Sequence, residues 1–530
     1  MERYDLVVIG GGIQGAGLAR DAALRGLRVV LFERGDFGGG TSSRTSRLVH
    51  GGIRYLENLR LGLVREALEE RALLLALAPH LVWPIPFLLP YYKKAPRPRW
   101  YLSAGLALYG TLAGRHGIGP TRLLSKRQAL ALEPDLPADK LQGAGLYWDA
   151  QMNDARLCLE NTLDAAALGA DLRSYHEVVS IERSPGQVKL RVRDLLAPDA
   201  PDLEVEAPAV VNATGPWVDR VRERAGIKKP RAVRASRGVH VLVPALTRGH
   251  ALTLTARRDR RVIFVLPWAQ GSIVGTTETA FDDDPDSVTP TVADVNYLLE
   301  EVRGRWKTPV RFAEHVRAAY AGLRPLVRAG GSLRSVSREA RLLAELGLYS
   351  MVGGKYTTYR AIAERTLDRV LRDLGKAAHP CSTRERPLPG AGAGTREQAA
   401  AAGRERAMEL RHLGGEDASR LGARYGGLAA GAFVLVEQFP RLHEKAGARV
   451  VEGEVVYAVR HEMAKRLDDV LFRRLGLGDN RLGARLAAVP VSQWMAEHLG
   501  WSQMRTREEV RRVEGRLEAE DKVIVGALQA

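Results

Sequence analysis

The sequence predicts an α/β protein in three parts: a two-dinucleotide-binding (Rossmann-like) domain, a mixed-sheet second domain and an α-helical C-terminal domain. Three observations predict it. The chain opens with an apolar strand, a glycine turn and a helix, and far downstream it returns to an apolar strand ending in Ala213-Thr214-Gly215. Between residues 232 and 320 the pattern changes to short alternating strands. From about residue 397 onward the composition is helical.

The opening stretch is Tyr4-Asp-Leu-Val-Val-Ile-Gly10-Gly-Gly12-Ile-Gln-Gly15, and a second strand follows, Arg28-Val-Val-Leu-Phe32, ending at Glu33. Gly10 permits the tight turn, Gly12 lets backbone approach a pyrophosphate, and Gly15 lets helix and strand pack closely. The helix start presents free N–H groups and a positive dipole end to phosphate. Glu33 lies 18 residues after Gly15, where a carboxylate can accept hydrogen bonds from an adenosine ribose. This unit alone is compatible with FAD or NAD. The Ala213-Thr214-Gly215 strand end, whose small residues let backbone pass close to a flat ligand, is a feature of flavoproteins and points to FAD.

At 530 residues the chain has room for two or three domains, and 45% apolar content makes it globular. Its net charge of +17 fits anionic lipid, nucleic acid or a phosphorylated substrate. No nucleic-acid motif is present, and only 13 of the 79 basic residues are Lys, with the Arg residues spread along the chain. Nucleic acid is therefore not an expected partner. The two cysteines, Cys158 and Cys381, supply neither metal spacing nor a disulfide framework, so no metal is expected and a reducing cytoplasm suits them. The N-terminal apolar run is itself the first strand rather than a secretory signal. The longest apolar run, Leu73 to Pro90, contains Pro79, Pro84, Pro86 and Pro90, which rules out a regular spanning helix.

The elements then follow in order. A polar loop, 35–47, leads to an amphipathic helix over 58–78. Residues 91–116 join Lys93, Lys94, Arg97 and Arg99 to the apolar run Trp100 to Ala113, followed by Arg115. Fourteen residues are too few to span a bilayer, but they can lie in its interface or form a core helix. A helix is expected over 154–169, then a strand pair, Ala170 to Glu182 and Gln187 to Arg193. Asp294 to Trp306 reads as a helix, and 318–331 as a strand and turn. Gly353-Gly354-Lys355 lies between a strand and a helix running to about Leu374, a second anion-friendly helix start. Residues 376–400 carry a linker signature in which Gly390 to Gly394 mimics a phosphate loop without a preceding strand. Helices are expected over Arg396–Leu413, Ala418–Tyr425, Gly453–Leu475, Leu482–Leu499 and Arg505–Leu517. The resulting division is 1–80, 150–231 and 321–378 for the cofactor domain, and 81–149 with 232–320 for the substrate domain. A linker at 379–396 and a helical domain at 397–530 complete it.

The chain resembles the FAD-dependent, quinone-linked glycerol-3-phosphate dehydrogenases of the aerobic bacterial and mitochondrial type. The stretches that carry the resemblance include Gly40-Thr-Ser-Ser-Arg44, His50-Gly-Gly-Ile-Arg54-Tyr-Leu-Glu57, Asn212-Ala-Thr-Gly-Pro-Trp217, Arg237-Gly-Val-His240, Gly322-Leu-Arg324-Pro, Gly353-Gly-Lys-Tyr-Thr-Thr-Tyr-Arg360 and Glu452 to Arg460. Glu278 stands where the family usually has Asp, and 421–445 is richer in Ala and Gly than a polar helix.

The resemblance implies hydride transfer from C2 of sn-glycerol 3-phosphate to FAD N5, with electrons passed to a membrane quinone. It implies a peripheral attachment to anionic lipid on the cytoplasmic face of the cell membrane, and a homodimer is compatible with it. Arg54, Tyr55, Arg324, Arg338 and Lys355 fall at or near its substrate-contacting positions; arginine forks suit a phosphate dianion. Lys355 at its helix start suits the negative charge of a reduced flavin. The proton acceptor is His240 or His50, or else a water or Arg324. Besides Gly10, Gly12, Gly15 and Glu33, the implied cofactor contacts are Arg34, Thr41, Ser42, Ser43, Arg47, His50, Val179, Ala213, Thr214, Gly215, Gly354, Lys355 and Thr357. The rival readings are a glycerol-3-phosphate oxidase using oxygen, an amine or amino-acid oxidase on the same scaffold, and a binding protein merely stabilised by FAD.

Overall fold

The structure, a computed structural model, describes residues 1–93, 98–269, 271–307, 316–328 and 339–529, the side chains of Arg54 and Asn58 excepted. The strand Leu6–Ile9 is buried at every position. It sits inside a six-stranded sheet ordered Arg341–Glu345, Leu348–Val352, Val210–Asn212, Leu6–Ile9, Val29–Glu33, Asp171–Ser174. All pairings are parallel except that of the outermost Arg341–Glu345. Both faces are covered, which is why these strands read as unbroken apolar runs. Leu6, Val8, Val29 and Leu31 pack on the helices Ile13–Leu24 and Tyr359–Leu374. Val7, Ile9, Val30 and Phe32 face a four-stranded sheet that includes Gln187–Asp194 and His176–Ser184.

The expected strand over Ala170 to Glu182 is two strands. Tyr175 takes a left-handed φ of +60° and turns the chain. Asp171–Ser174 therefore extends the parallel sheet, while His176–Ser184 forms the hairpin with Gln187–Asp194.

Among the described residues the second sheet has ten strands. Its longest pairing with Leu141–Met152 is made by Val82–Tyr92, the proline-rich run. Pro84, Pro86 and Pro90 occupy alternate positions, so their missing N–H groups fall on one edge and a ladder forms on the other. Val233–Pro244 pairs along its length with Ala318–Val327, which sets His240 opposite Tyr320 and Gly238 opposite Gly322.

The C-terminal domain departs most from expectation. The helix expected over 453–475 stops at His461, Met463 turns left-handed at φ +55°, and a π-helical turn follows at Asp469–Arg474. A helix Ala429–Gln438 and a hairpin, Leu442–Lys445 with Ala448–Val451, occupy the Ala/Gly-rich region. The small residues serve close packing there: a Cβ on Gly422 would lie 2.1 Å from the Ala399 carbonyl oxygen. The last helix runs on to Gln529 and adds Ile524 and Ala527 to the core under the second sheet. The linker is strapped down, with Leu388 N–H on the Leu77 carbonyl at 2.8 Å. The phosphate-loop mimic is packed against the cofactor domain: a Cβ on Gly390 would lie 2.2 Å from the His80 ring.

The C-terminal domain docks on the cofactor domain through Asp36. This buried carboxylate accepts Arg474 Nη1 and Nη2 at 2.6 and 2.8 Å and also pairs with Arg473. Burial raises its pKa, but Arg474 and Arg473 outweigh burial and hold it below the ordinary carboxylate value. Its contribution is thus present above the unfolded-state pKa and is lost as pH falls through the lower folded one. Asp36→Ala is expected to destabilise the protein by about 3–5 kcal/mol, because it strips two buried guanidiniums of a shared partner. A urea midpoint unchanged by the substitution would refute this.

Candidate active site

A cavity of about 1040 Å³ runs from the glycine turn to the face of the second sheet. At the turn, Gly10 has φ +104°, and a Cβ on Gly15 would lie 1.8 Å from the Gly10 carbonyl oxygen. A Cβ on Gly10 would meet the Ala213 carbonyl at 2.9 Å, so the two strand ends that the sequence singled out touch here. Gly12 caps the helix Ile13–Leu24 without a side-chain bond, and Ser42 Oγ accepts the Ile13 N–H at 2.9 Å. Glu33 lines the cavity and accepts the N–H groups of Gly11 and Gly35 at 2.6 and 2.7 Å. Burial raises its pKa against the pull of those donors.

Gly10, Gly12, Glu33, Arg34, Thr41, Ser42, Ala213, Thr214 and Gly215 line this end of the cavity. Thr214 gives its hydroxyl to Asn212 Oδ1 at 2.7 Å, and Thr41 gives its own to the Leu323 carbonyl at 2.8 Å. Arg34 pairs with Asp286, which also accepts Trp217 Nε1 at 2.8 Å and Arg220 at 2.9 Å. Ser43 and Val179 adjoin residues of the wall, Ser42 and Val178, but do not line it themselves. Arg47, expected at the cofactor, is turned away. With φ +54°, its guanidinium forms a bidentate pair with Asp479 of the C-terminal domain at 2.6 and 2.7 Å.

At the far end His50, Tyr55, His240, Arg324, Gly354, Lys355 and Thr357 share the cavity. The ammonium of Lys355 sits 3.7 Å above the Tyr55 ring. The left-handed φ values of Gly353 and Gly354, +79° and +90°, bring the chain round to the helix Tyr359–Leu374. Thr357 Oγ1 accepts the His50 N–H at 3.2 Å, so the two loops are joined. Arg324 reaches across the sheet into space that only a glycine leaves: a Cβ on Gly238 would lie 2.4 Å from its Nη2. It donates to Thr276 Oγ1 at 2.9 Å and to the Thr277 carbonyl at 3.3 Å.

His240 is buried, stacked on Tyr320 at 5.0 Å and 20°, with Nε2 2.8 Å from Ser46 Oγ. Burial, then Arg324 and Arg47, push its pKa down to about 3, so the ring is neutral at physiological pH. The side chain of Arg54 and the whole of Arg338 lie outside the described residues.

The sequence reading missed Asp149, whose buried carboxylate accepts Gly51 N–H at 3.0 Å, Arg71 at 2.7 Å and the Tyr109 hydroxyl at 2.8 Å, fixing the His50–Gly52 loop. It also missed Thr276, Tyr320 and Asp479. Tyr320 stands in the stretch leading to Arg324 and Thr276 in the Gly275-Thr-Thr-Glu278 stretch, but Asp149 and Asp479 carry no local signal; each acts on a residue remote in sequence.

The cradle fits FAD: a pyrophosphate-sized approach at glycines where no Cβ is tolerated, a helix start, and a carboxylate at the second strand end. Comparisons with known proteins agree. The model of the family described as FAD dependent oxidoreductase matches residues 5–369, and that of the C-terminal domain of alpha-glycerophosphate oxidase matches 381–506. A glycerol-3-phosphate dehydrogenase of Synechocystis is 34% identical, over 96% of this chain and 95% of its own. One from Mycobacterium leprae is 38% identical, over 98% of this chain and 89% of its own. The crystal structure of the glycerol-3-phosphate dehydrogenase from Bacillus halodurans complexed with FAD superposes with a TM-score of 0.77 at 30% identity, covering 99% of this chain and 95% of that one. Gly15→Ala is expected to give protein purified without the yellow cofactor, read from its visible absorbance; full FAD occupancy would contradict the geometry of the turn.

Proposed function

The chain belongs to the FAD-dependent glycerol-3-phosphate dehydrogenase family, and we propose that it oxidises sn-glycerol 3-phosphate to dihydroxyacetone phosphate and passes the electrons to a membrane quinone. The observation that carries the reading is Arg324, seated over Gly238 at the same end of the cavity as His240 and Lys355.

Arg324 and Lys355 clamp the phosphate dianion, Arg324 by its planar fork and Lys355 as a point charge steadied on Tyr55. Arg54 and Arg338 are assigned to the same clamp on sequence grounds. The clamp places C2 and its hydroxyl toward His240. A neutral imidazole can accept the hydroxyl proton, and a dianion held at Arg324 offsets one of the cations that depress its basicity. His50 is the second candidate. Gly10, Gly12, Ser42, Glu33, Ala213–Gly215 and Gly353–Lys355 would hold FAD, which supplies the hydride acceptor N5. Phe264, Tyr147 and Tyr55 line the walls near the clamp and keep water from it.

Quinone as acceptor, and attachment to the inner face of the membrane, are supported by the helix Arg99–Ala113. It exposes Trp100 and Tyr101, flanked by Lys93, Arg99 and Arg115. Exposed Leu59 and Leu61 flank Arg60, which with Leu63 lines the cavity. Aromatic and cationic groups together suit a lipid interface. No described helix is long and apolar enough to cross a membrane. The alternative acceptor, oxygen, leaves this exposed surface without a role.

Adding sn-glycerol 3-phosphate to the anaerobic protein is expected to bleach its flavin band; a band that persists would sink the proposal. Arg324→Ala should keep FAD but lose about 100-fold or more in kcat/KM, the order expected for a charge-assisted clamp. Trp100→Ala with Tyr101→Ala should weaken binding to anionic vesicles in a sedimentation assay while leaving bleaching by substrate intact.

A further inference from the structure

The Arg47–Asp479 pair stands near His240 but outside the residues that line the cavity. Arg47 holds a left-handed φ of +54°, a conformation that persists in a non-glycine residue only where its surroundings over-determine it. What over-determines it here is a column of flat groups. The Arg47 guanidinium lies 4.2 Å from the Trp268 ring and 5.7 Å from the Tyr320 ring. Trp268 gives its indole N–H to Asp479 at 2.7 Å and stacks on Trp83 at 5.8 Å. Arg396, at the start of the first C-terminal helix, caps Trp83 at 4.5 Å. On the other side Tyr320 is fixed by its hydroxyl on the Thr45 carbonyl at 3.0 Å, and its ring lies against His240.

We propose that Asp479, in the C-terminal domain, is a positioning residue for the oxidation: through Arg47 and Tyr320 it sets the plane of the His240 ring. This rests on His240 being the proton acceptor. The groups facing His240 are Arg324 and Tyr320 on the paired strand, Ser46 and Arg47 on the loop, and Gly275, with no side chain, on the other neighbour. Behind Arg47 stand two carboxylates, Asp479 in direct contact and Asp154 at 3.9 Å. Asp154 is already engaged, taking the Thr45 N–H at 3.1 Å and hydroxyl at 2.7 Å. With Asp479 neutralised, Arg47 turns to Asp154 and competes with Thr45, whose carbonyl anchors Tyr320. The ring under His240 then loses both its cation and its tether. The C-terminal domain thus contributes geometry to a reaction that it does not touch.

The test is a cycle of Asp479→Asn and His240→Asn, read by anaerobic bleaching of the purified holoenzyme with sn-glycerol 3-phosphate. Asp479→Asn is expected to slow bleaching about tenfold at saturating substrate, with KM and FAD content unchanged. In the His240→Asn background it should cause no further loss. Hydrogen exchange should speed up at residues 44–50 in Asp479→Asn. Asp479→Glu should recover part of the rate. A rate equal to the parent's overturns the proposal, as does the same loss with or without His240, or loss of FAD, either of which marks a purely structural role. Failure is separable from failure of the functional reading: if the unmodified protein is not bleached, or His240→Asn is fully active, the reaction or the base assignment falls first, and this proposal with it.

Discussion

Asp36 carries almost no exposed surface and sits three residues past the carboxylate that closes the cofactor turn. A buried anion there is tolerable only because two arginines from the other end of the chain meet it. That requirement fixes where the C-terminal domain stands. Once Arg473 and Arg474 are committed to Asp36, the segment that follows carries Asp479 to Arg47 and Trp268. The position of the helical domain is therefore decided beside the cofactor turn, and its contacts extend to Arg47 and Trp268.

The same device recurs along the cavity. Glu33, Asp149 and Asp154 each commit a carboxylate, the last two fully buried, to the backbone of a glycine- or hydroxyl-rich loop. Loops of that composition have little side-chain packing of their own, and a fixed acceptor for their N–H groups supplies the order that packing cannot. The far end of the cavity works by the converse rule. His240 lies over Gly275 and Arg324 over Gly238, so the sheet recedes beneath the two side chains it presents.

How much of this the sequence discloses follows from the range of each interaction. The glycine turn, Glu33 and the Gly353–Lys355 helix start are local, and a single pass along the chain finds them. The break at Tyr175 and the stop at His461 depend on left-handed residues, Tyr175 and Met463, that no composition rule flags. The prolines at 84, 86 and 90 exclude a spanning helix, but only the pairing partner shows that they stand in a strand and which edge must lack donors. Arg47 shows the limit most sharply. Its place in the loop is that of a cofactor contact, yet a carboxylate 432 residues away decides where it points.

The strand order of the parallel sheet has a consequence for how the chain is made. Its first strand, Leu6–Ile9, needs Val210–Asn212 beside it, and that strand needs Leu348–Val352. A ribosome thus releases the amino-terminal strand, and the Val29–Glu33 strand that pairs with its other edge, long before Val210–Asn212 exists, and the nascent chain must keep one edge of this apolar pair from pairing wrongly through much of its synthesis. The docking arginines arrive later still. Fragments truncated before residue 348 leave the outer edge of Val210–Asn212 unpaired, an apolar edge of the kind that invites aggregation.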